Sequence, residues 1–230
     1  MKNIFSDLFS LLFPEVCPSC GSLLMKDEKT VCISCRVLMP KTGYELIADN
    51  PVARIFWGRI PLHAVSACYF FAKKGRVQPL IHELKYKGNS DAGLFLGREM
   101  AKELVKAPLF ADVDFLIPVP LHPKREKKRG YNQSEVIARG MAEVMPAKIS
   151  YNNLVRAVAT ETQTKKSRED RWQNVKEIFE LRKAELLENK HICIIDDVIT
   201  TGSTIEACAM ALQDVPGIKI SVATAACALG

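Results

Sequence analysis

The stretch His191–Thr204 constrains the fold more than any other part of this sequence. It opens with a short apolar run rich in β-branched residues, which is typical of a buried parallel strand. Two adjacent carboxylates, Asp196 and Asp197, follow this run, and a loop of small hydroxylated residues around Gly202 comes next. Beyond the loop, apolar residues recur at helical spacing: Ile205, Cys208, Ala209 and Leu212. The order of strand, acid pair, loop and helix predicts a ligand site at the end of the strand.

The small-residue loop predicts a binding site for a phosphate. The backbone N–H groups of Thr200–Thr204 lie at the start of a helix, where they have no partner within the helix and the helix dipole favours an anion. The acid pair would repel a phosphate, so it suits hydroxyl groups or a metal ion that arrives with the ligand. A ribose 5-phosphate, with a phosphate at one end and a diol at the other, fits both parts. The alternative is a strand end with solvated acids and an N-capping Ser or Thr.

Strand and helix patterns alternate through the second half of the chain. Asp114–Pro120 and Ile218–Ala226 are predicted strands, and Ile149–Val155 is predicted to be another. This alternation predicts an α/β fold, with a parallel sheet flanked by helices. Ligands bind such sheets at the carboxyl ends of the strands. The loops Pro118–Gly130 and Thr160–Asn174 are therefore expected to lie beside the acid pair.

Four cysteines near the N-terminus are spaced as two C-x-x-C pairs: Cys17, Cys20, Cys32 and Cys35. Each pair forms a tight turn that presents two thiolates, and four thiolates complete a tetrahedral zinc site. Disulfides are one alternative, which a cytoplasmic protein disfavours. A thioredoxin-like redox pair is the other, but it would not occur twice or lack a βαβ context. We therefore predict a zinc ribbon. Its zinc should be structural rather than catalytic, because no fifth ligand lies nearby in the sequence.

The first residues, up to Pro14, are apolar at helical spacing. A signal peptide is disfavoured, because Asp7 interrupts the apolar run and no small-residue cleavage site follows before Cys17. No apolar run approaches the roughly 18–20 residues of a membrane span. We expect a helix that docks on the rest of the chain, and a cytoplasmic protein. A peripheral membrane contact is the alternative, with Lys2 as its only basic residue.

The chain is predicted to have three parts. Residues 1–45 would hold the N-terminal helix and the four-cysteine zinc ribbon, residues 46–90 a linker and hood region, and residues 91–230 the core. The irregular stretch Pro40–Pro61 is interpreted as a linker, and His63–Phe71 as a strand. A chain of 230 residues is long enough for one large core and a small accessory module.

Much of the net charge of +6 comes from two basic segments, Lys124–Arg129 and Lys165–Arg171. One interpretation is that both are solvated loops. The other is that they face a polyanion, either a polyphosphate substrate or single-stranded nucleic acid. The charges alone do not separate these partners.

Several motifs occur in order along the chain: the cysteine pairs, I-P-V-P-L-H, R-G-Y-N-Q-S, a Thr-Gln…Arg loop and D-D-V-I-T-T-G-S-T. Together they resemble the ComF family of competence-associated, phosphoribosyltransferase-like proteins, also called GntX-like, which have the type I phosphoribosyltransferase fold. The resemblance covers nearly the whole chain. It implies that the protein binds phosphoribosyl pyrophosphate (PRPP) with Mg²⁺ and acts as a glycosyltransferase on an acceptor that the sequence does not identify.

The resemblance also implies roles for individual residues. Asp196 and Asp197 would hold the ribose diol, directly or through Mg²⁺-bound water, and Lys124 and Arg129 would complete the catalytic set. The implied substrate-binding residues are Thr200, Thr201, Gly202, Ser203, Thr204, His122, Arg125, Gln163 and Arg171. Thr160–Asn174 would form a lid against water. Lys85 and Lys87 would approach the pyrophosphate.

The same resemblance leaves a second function open. A non-catalytic protein of DNA uptake would use the basic loops and the zinc ribbon to contact single-stranded DNA or a competence helicase. The fold does not decide between the two, because one fold serves both enzymes and binding modules. Residues 40–90 show no pattern that identifies an acceptor pocket.

Overall fold

The structure is a computed structural model, in which residues 14–156 and 178–228 are described. The predicted N-terminal helix lies outside these residues. So does the whole of the predicted lid, Thr160–Asn174, with Gln163, Lys165 and Arg171.

The described residues form seven α-helices and seven strands. The helices are α1 (Ile33–Leu38), α2 (Pro51–Arg54), α3 (Val77–Tyr86), α4 (Ser90–Leu104), α5 (Pro123–Arg129), α6 (Gln133–Ala142) and α7 (Ser203–Leu212). The strands are β1 (Ala64–Phe70), β2 (Phe115–Pro118), β3 (Lys148–Ile149), β4 (Leu154–Arg156), β5 (Phe179–Leu181), β6 (His191–Ile199) and β7 (Lys219–Cys227). Short 3₁₀ helices cover Tyr44–Leu46, Pro108–Phe110 and Ala184–Leu187.

Five strands form one parallel sheet in the order β1-β7-β6-β2-β3. Its central strand β6 is the apolar run that opens the stretch His191–Thr204, and residues 192–195 are fully buried. Both faces of the sheet are covered, by α3, α4 and α6 on one side and by α2 and α7 on the other. A strand buried on both faces reads as continuous rather than alternating apolar residues. The predicted α/β fold with a parallel sheet is confirmed.

Helices α4 and α6 approach each other closely at two glycines, Gly97 and Gly140. A Cβ atom at Gly97 would collide with the carbonyl oxygen of Ile137, and one at Gly140 with that of Leu94. These glycines therefore allow the two backbones to touch. The packing holds α6 in place, and the first turn of α6 contributes to the candidate site described below.

We expect the substitution Gly97→Ala to destabilise the protein. In an exposed helix this change is favourable, but here the added methyl group overfills the contact, at a cost of about 1–3 kcal/mol. Urea denaturation of the variant should show a lower midpoint than the wild type, while Arg139→Ala, at an exposed position of α6, should change it little. An unchanged or higher midpoint for Gly97→Ala would contradict this packing.

The predicted strand Ile149–Val155 is wrong. The chain leaves the parallel sheet after the two-residue strand β3, and Asn152 adopts a left-handed conformation with φ of 54°. It then enters β4, which pairs with β5 in a separate antiparallel hairpin. Residues 150–153 separate the two short strands, and strands of two and three residues are too short for periodicity to reveal the break between them.

The stretch Pro40–Pro61 is not an irregular linker. It contains a 3₁₀ helix and α2, and Asn50 between them is fully buried. The side chain of Asn50 caps α2, accepting from the N–H groups of Val52 and Ala53 at 3.0 Å, and donates to the Val65 carbonyl at 2.7 Å. This segment is therefore fixed to β1.

The predicted strand in His63–Phe71 is confirmed as β1, which forms one edge of the parallel sheet. A strand of the main sheet thus comes from the region that the sequence assigns to linker and hood. The division of the chain at residues 45 and 90 stays a prediction.

Candidate functional site

The acid pair lies near the carboxyl end of β6, as the sequence predicts. Asp196 accepts hydrogen bonds from the Ser134 hydroxyl at 3.0 Å and from the backbone N–H of Asp197 at 2.9 Å. Burial and the neighbouring charge of Asp197 raise the pKa of Asp196 to about 7. Two neighbouring, buried carboxylates favour a cation beside them, because the cation lowers the free energy needed to ionise both.

Lys85 provides one such cation. Its Nζ lies 2.7 Å from Oδ1 of Asp197, and both side chains are largely buried. Lys85 sits in the last turn of α3, where the Tyr131 hydroxyl donates to the neighbouring Leu84 carbonyl at 2.6 Å. The sequence suggested Lys85 only as a residue near the pyrophosphate. Lys87 instead pairs with Glu83 at 2.8 Å.

The loop Thr200–Thr204 and the first turn of α7 line one cavity together with Asp196. Gly202 is the N-cap residue of α7 and has a φ of 74°, a left-handed conformation that favours glycine. The structure therefore brings an acid and a helix N-terminus to the same cavity, as the sequence predicts. The roles of the individual residues stay predictions.

Residues of the supposed linker support this loop. The Phe56 ring packs so tightly against Gly202 that a Cβ there would come within 2.8 Å of the ring. Arg59 donates to the Thr201 carbonyl at 3.2 Å and pairs with Glu206 of α7. Neither residue is predicted from the sequence, because an aromatic and an arginine in an irregular stretch carry no signal of their position.

The basic segment after Pro120 is a helix, α5, and not the open loop that the sequence predicts. His122 is its N-cap residue and accepts from the Lys124 N–H at 3.2 Å. Arg129 donates to the Gln133 side chain at 2.6 Å and lies over the Tyr86 ring, 5.4 Å from its centroid. Lys124 and Arg125 are exposed. Arg129 is thus held against α3 and α6, whereas Lys124 and Arg125 project into solvent.

The four N-terminal cysteines form a compact cluster, with all four Sγ atoms within 4.8 Å of one another. The Cys20 and Cys32 sulfurs are 3.8 Å apart. Backbone N–H groups donate to the Cys17 and Cys32 sulfurs at 3.4 Å, and Arg76 donates to Cys35 Sγ at 3.0 Å. Such donors stabilise thiolates, and four thiolates suit tetrahedral zinc. The cluster is consistent with the predicted zinc ribbon.

None of the eight cysteines forms a disulfide. The four outside the cluster, Cys68, Cys193, Cys208 and Cys227, are all buried. No helix in the part of the chain that the structure describes is both long and apolar enough to cross a membrane.

Comparison with known proteins agrees with the fold. The parallel sheet, with an acid pair and a helix N-terminus at its carboxyl edge, defines a domain of the phosphoribosyltransferase class. The family model described as the phosphoribosyl transferase domain matches residues 90–227.

Two of the following three relatives with curated names cover more of the chain than the family model does. DNA utilization protein YhgH of Escherichia coli O6:H1 is 30% identical over 200 residues, which is 86% of this chain and 83% of the relative. Competence protein ComFC of Bacillus subtilis is 27% identical over 208 residues, or 89% and 81% of the two chains. Competence protein F of Haemophilus influenzae is 35% identical over 109 residues, or 46% and 47%. The chain belongs to the ComF family of phosphoribosyltransferase-like proteins.

Proposed function

We propose that the chain binds PRPP together with Mg²⁺ and transfers its phosphoribosyl group to an acceptor. One observation carries the proposal: Asp196 and the first turn of α7 line the same cavity at the carboxyl edge of the sheet. The helix N-terminus would hold the 5′-phosphate, and Asp196 and Asp197 the ribose diol. The acid pair and the helix N-terminus follow one another along β6 and its loop, an order that suits a ligand with a diol at one end and a phosphate at the other.

Catalysis by such a site would depend on position and charge. The bond between ribose C1 and pyrophosphate breaks through a state in which the sugar is positive and the leaving group gains negative charge. Arg129, held over the Tyr86 ring, and the exposed Lys124 and Arg125 would stabilise the leaving pyrophosphate. Bound Mg²⁺ would neutralise further charge on the pyrophosphate, with the acid pair as its protein ligands.

We expect Asp196→Ala to weaken PRPP binding. Calorimetric titration of the full chain with PRPP and Mg²⁺ should give an affinity for the variant roughly tenfold or more below that of the wild type, because a charge-assisted contact to the diol or metal is lost. Asp27→Ala, at an exposed position far along the chain in the cysteine segment, is the matched control. Equal PRPP binding by all three proteins would refute the site.

We also propose zinc as the metal of the cysteine cluster, with Cys17, Cys20, Cys32 and Cys35 as its ligands. The support is the chemistry of the donor set: four sulfurs at ligand spacing, with N–H donors and the Arg76 guanidinium around them.

A second candidate function is favoured by helix α5. This helix presents a row of exposed basic side chains. Relatives of the chain are named for competence and DNA utilization. On this proposal the chain binds single-stranded DNA through α5, with or without chemistry at the acid pair.

We expect that, on this second proposal, reversing the charge of Lys127 and Lys128 to Glu weakens binding to a single-stranded oligonucleotide. The slope of log affinity against log salt should fall by about 1.4, since each lost phosphate contact contributes about 0.7. Fluorescence anisotropy at several salt concentrations measures this. Reversal of Lys73 and Lys74, two exposed lysines in a turn, is the control. If the slope is the same in both variants and the wild type, α5 is not a DNA-binding surface.

A further inference from the structure

A cavity of about 280 Å³ lies next to the acid pair and is not used by the proposed PRPP site. It opens at the carboxyl ends of β2 and β3. One wall is formed by the segment after β2 and the first turns of α5 and α6, and the other by the β4–β5 hairpin. Its volume is close to the lower limit of ligand pockets, about 300 Å³, so it suits one small molecule.

Two hydrogen bonds, both made by Ser134, connect the cavity to Asp196. Asn132, which lines it, donates to the Val119 carbonyl at 3.0 Å and caps α6 by accepting from the Ser134 N–H at 3.0 Å. The hydroxyl of the same Ser134 donates to Asp196. In addition, β2 and β6 are neighbouring strands that pair Pro118 with Ile195, so the two sites lie about one strand spacing apart.

Charges of both signs line the cavity. On the hairpin wall are Arg156, whose guanidinium lies over the Phe179 ring at 5.5 Å, and the exposed Arg182. On the helical wall are Glu126 and the half-buried Glu135. Within residues 14–156 and 178–228, none of these four side chains makes an ion pair with another residue. The arginines and glutamates face the same cavity without pairing with one another. Such a cavity favours a ligand that has a negative group for the arginines and a hydrogen-bond donor for the glutamates.

We propose that this cavity binds the phosphoribosyl acceptor, and that the acceptor is a small molecule with an N–H nucleophile and a carboxylate. The carboxylate would face Arg156 and Arg182, because a guanidinium binds a carboxylate with two parallel hydrogen bonds. The N–H group would face Glu135, on the wall nearest the acid pair. The inference rests on the proposed transferase function and adds the class of acceptor to it.

A polyanion fits this cavity poorly. Glu126 and Glu135 would repel the phosphates of a nucleic acid, and only one wall carries arginines. A neutral base fits poorly as well, because it offers no carboxylate to Arg156 and Arg182. A single small acid satisfies both walls.

Glu135 is suited to take the proton in this transfer. Burial, and to a smaller extent Glu126, raise the pKa of Glu135, which makes its carboxylate a better base. The nitrogen lone pair forms the new bond to ribose C1 while the bond from C1 to pyrophosphate breaks. Pyrophosphate leaves with that electron pair, and the proton lost by the nitrogen passes to Glu135.

Two matched pairs of compounds test the class of acceptor: orotate against uracil, and 4-aminobenzoate against aniline. Each pair shares its nucleophilic N–H and differs in the carboxylate. Binding to the full chain is measured by calorimetry, with and without PRPP and Mg²⁺. We expect the wild type to bind at least one acid at least about tenfold more tightly than its neutral partner. The variants Arg156→Gln and Arg182→Gln should each bind that acid about tenfold more weakly than the wild type does. Lys183→Gln, the exposed neighbour of Arg182 that does not line the cavity, should bind as the wild type does.

The outcomes separate this inference from the proposed function. If PRPP binds but neither acid binds better than its neutral partner, the inference is overturned and the PRPP site stands. If an acid binds equally well to the arginine variants and the wild type, the cavity assignment is overturned. If an acid binds as expected while PRPP does not bind at all, the cavity is a ligand site and the transferase function fails. If only an oligonucleotide depends on Arg182, the cavity belongs to a nucleic-acid surface and the inference is overturned.

Discussion

Asp197→Asn is expected to abolish most of the release of pyrophosphate from PRPP. The amide keeps the shape of the side chain but removes its charge, so Lys85 loses its partner at 2.7 Å and the diol or metal loses a ligand. Removal of one such electrostatic contact from a catalytic site costs roughly 100-fold or more in rate. The measurement is pyrophosphate release with Mg²⁺, first with the two acids named above and then with a wider panel of amines and bases.

The control for this loss is Asp91→Asn, a solvent-exposed acid in the first turn of α4. It should turn over at the wild-type rate. Thermal unfolding of Asp197→Asn should also be recorded, so that a folding defect is not taken for a catalytic one. A folded Asp197→Asn protein with wild-type turnover would contradict the role of the acid pair. Absence of turnover in the wild type with every acceptor would contradict the transferase function itself.

Loss of zinc is expected to have the largest effect on stability. Two of the four cysteines are fully buried, and three belong to the hydrophobic core together with Met39 and Tyr69. Isolated zinc modules bind their metal with about 10–16 kcal/mol, and this binding stabilises the folded state. In a chain of this size each 1 kcal/mol lost lowers the melting temperature by about 2–4 °C. We expect chelation to lower it by at least about 5 °C.

The variant Cys20→Ser isolates the metal from packing. Cys20 is the exposed member of the cluster, so its replacement removes a ligand with little change in the core. It should purify with less than one zinc per chain, as measured by atomic absorption, and melt at a lower temperature. Cys227→Ala, which alters a buried cysteine outside the cluster, should keep its zinc whatever its stability. A Cys20→Ser protein with full zinc content and an unchanged melting temperature would contradict the zinc ribbon.

The sequence was sufficient to predict the central layer of the fold and the local motifs. The run before Asp196 identified a buried strand because β6 is covered on both faces, and the spacing of the cysteines identified their cluster. These features are local, so their residues carry the signal themselves. Acids at the end of a strand and small residues at the start of the following helix also indicate that they lie at the carboxyl edge of the sheet, where ligands bind.

What the sequence could not predict depends on contacts between distant segments. Lys85 reaches Asp197 across 112 positions, and Arg59 reaches Glu206 across 147. No periodicity marks such pairs, because Lys85 and Arg59 look like ordinary surface residues in their own segments. The same reason explains the error at Pro40–Pro61, where the burial of Asn50 depends on its contact with β1 and not on its neighbours in the chain.

Helix α3 connects the cysteine cluster to the acid pair. At its N-terminal end Arg76 donates to Cys35 Sγ, and near its C-terminal end Lys85 contacts Asp197. Ten residues of helix are about 15 Å long and behave as a stiff rod. The free energies of zinc and PRPP binding should therefore be thermodynamically linked, and this linkage is reciprocal. If both proposed ligands bind, a chain that loses its metal would hold Lys85 less firmly, and a chain saturated with PRPP would bind its metal more tightly.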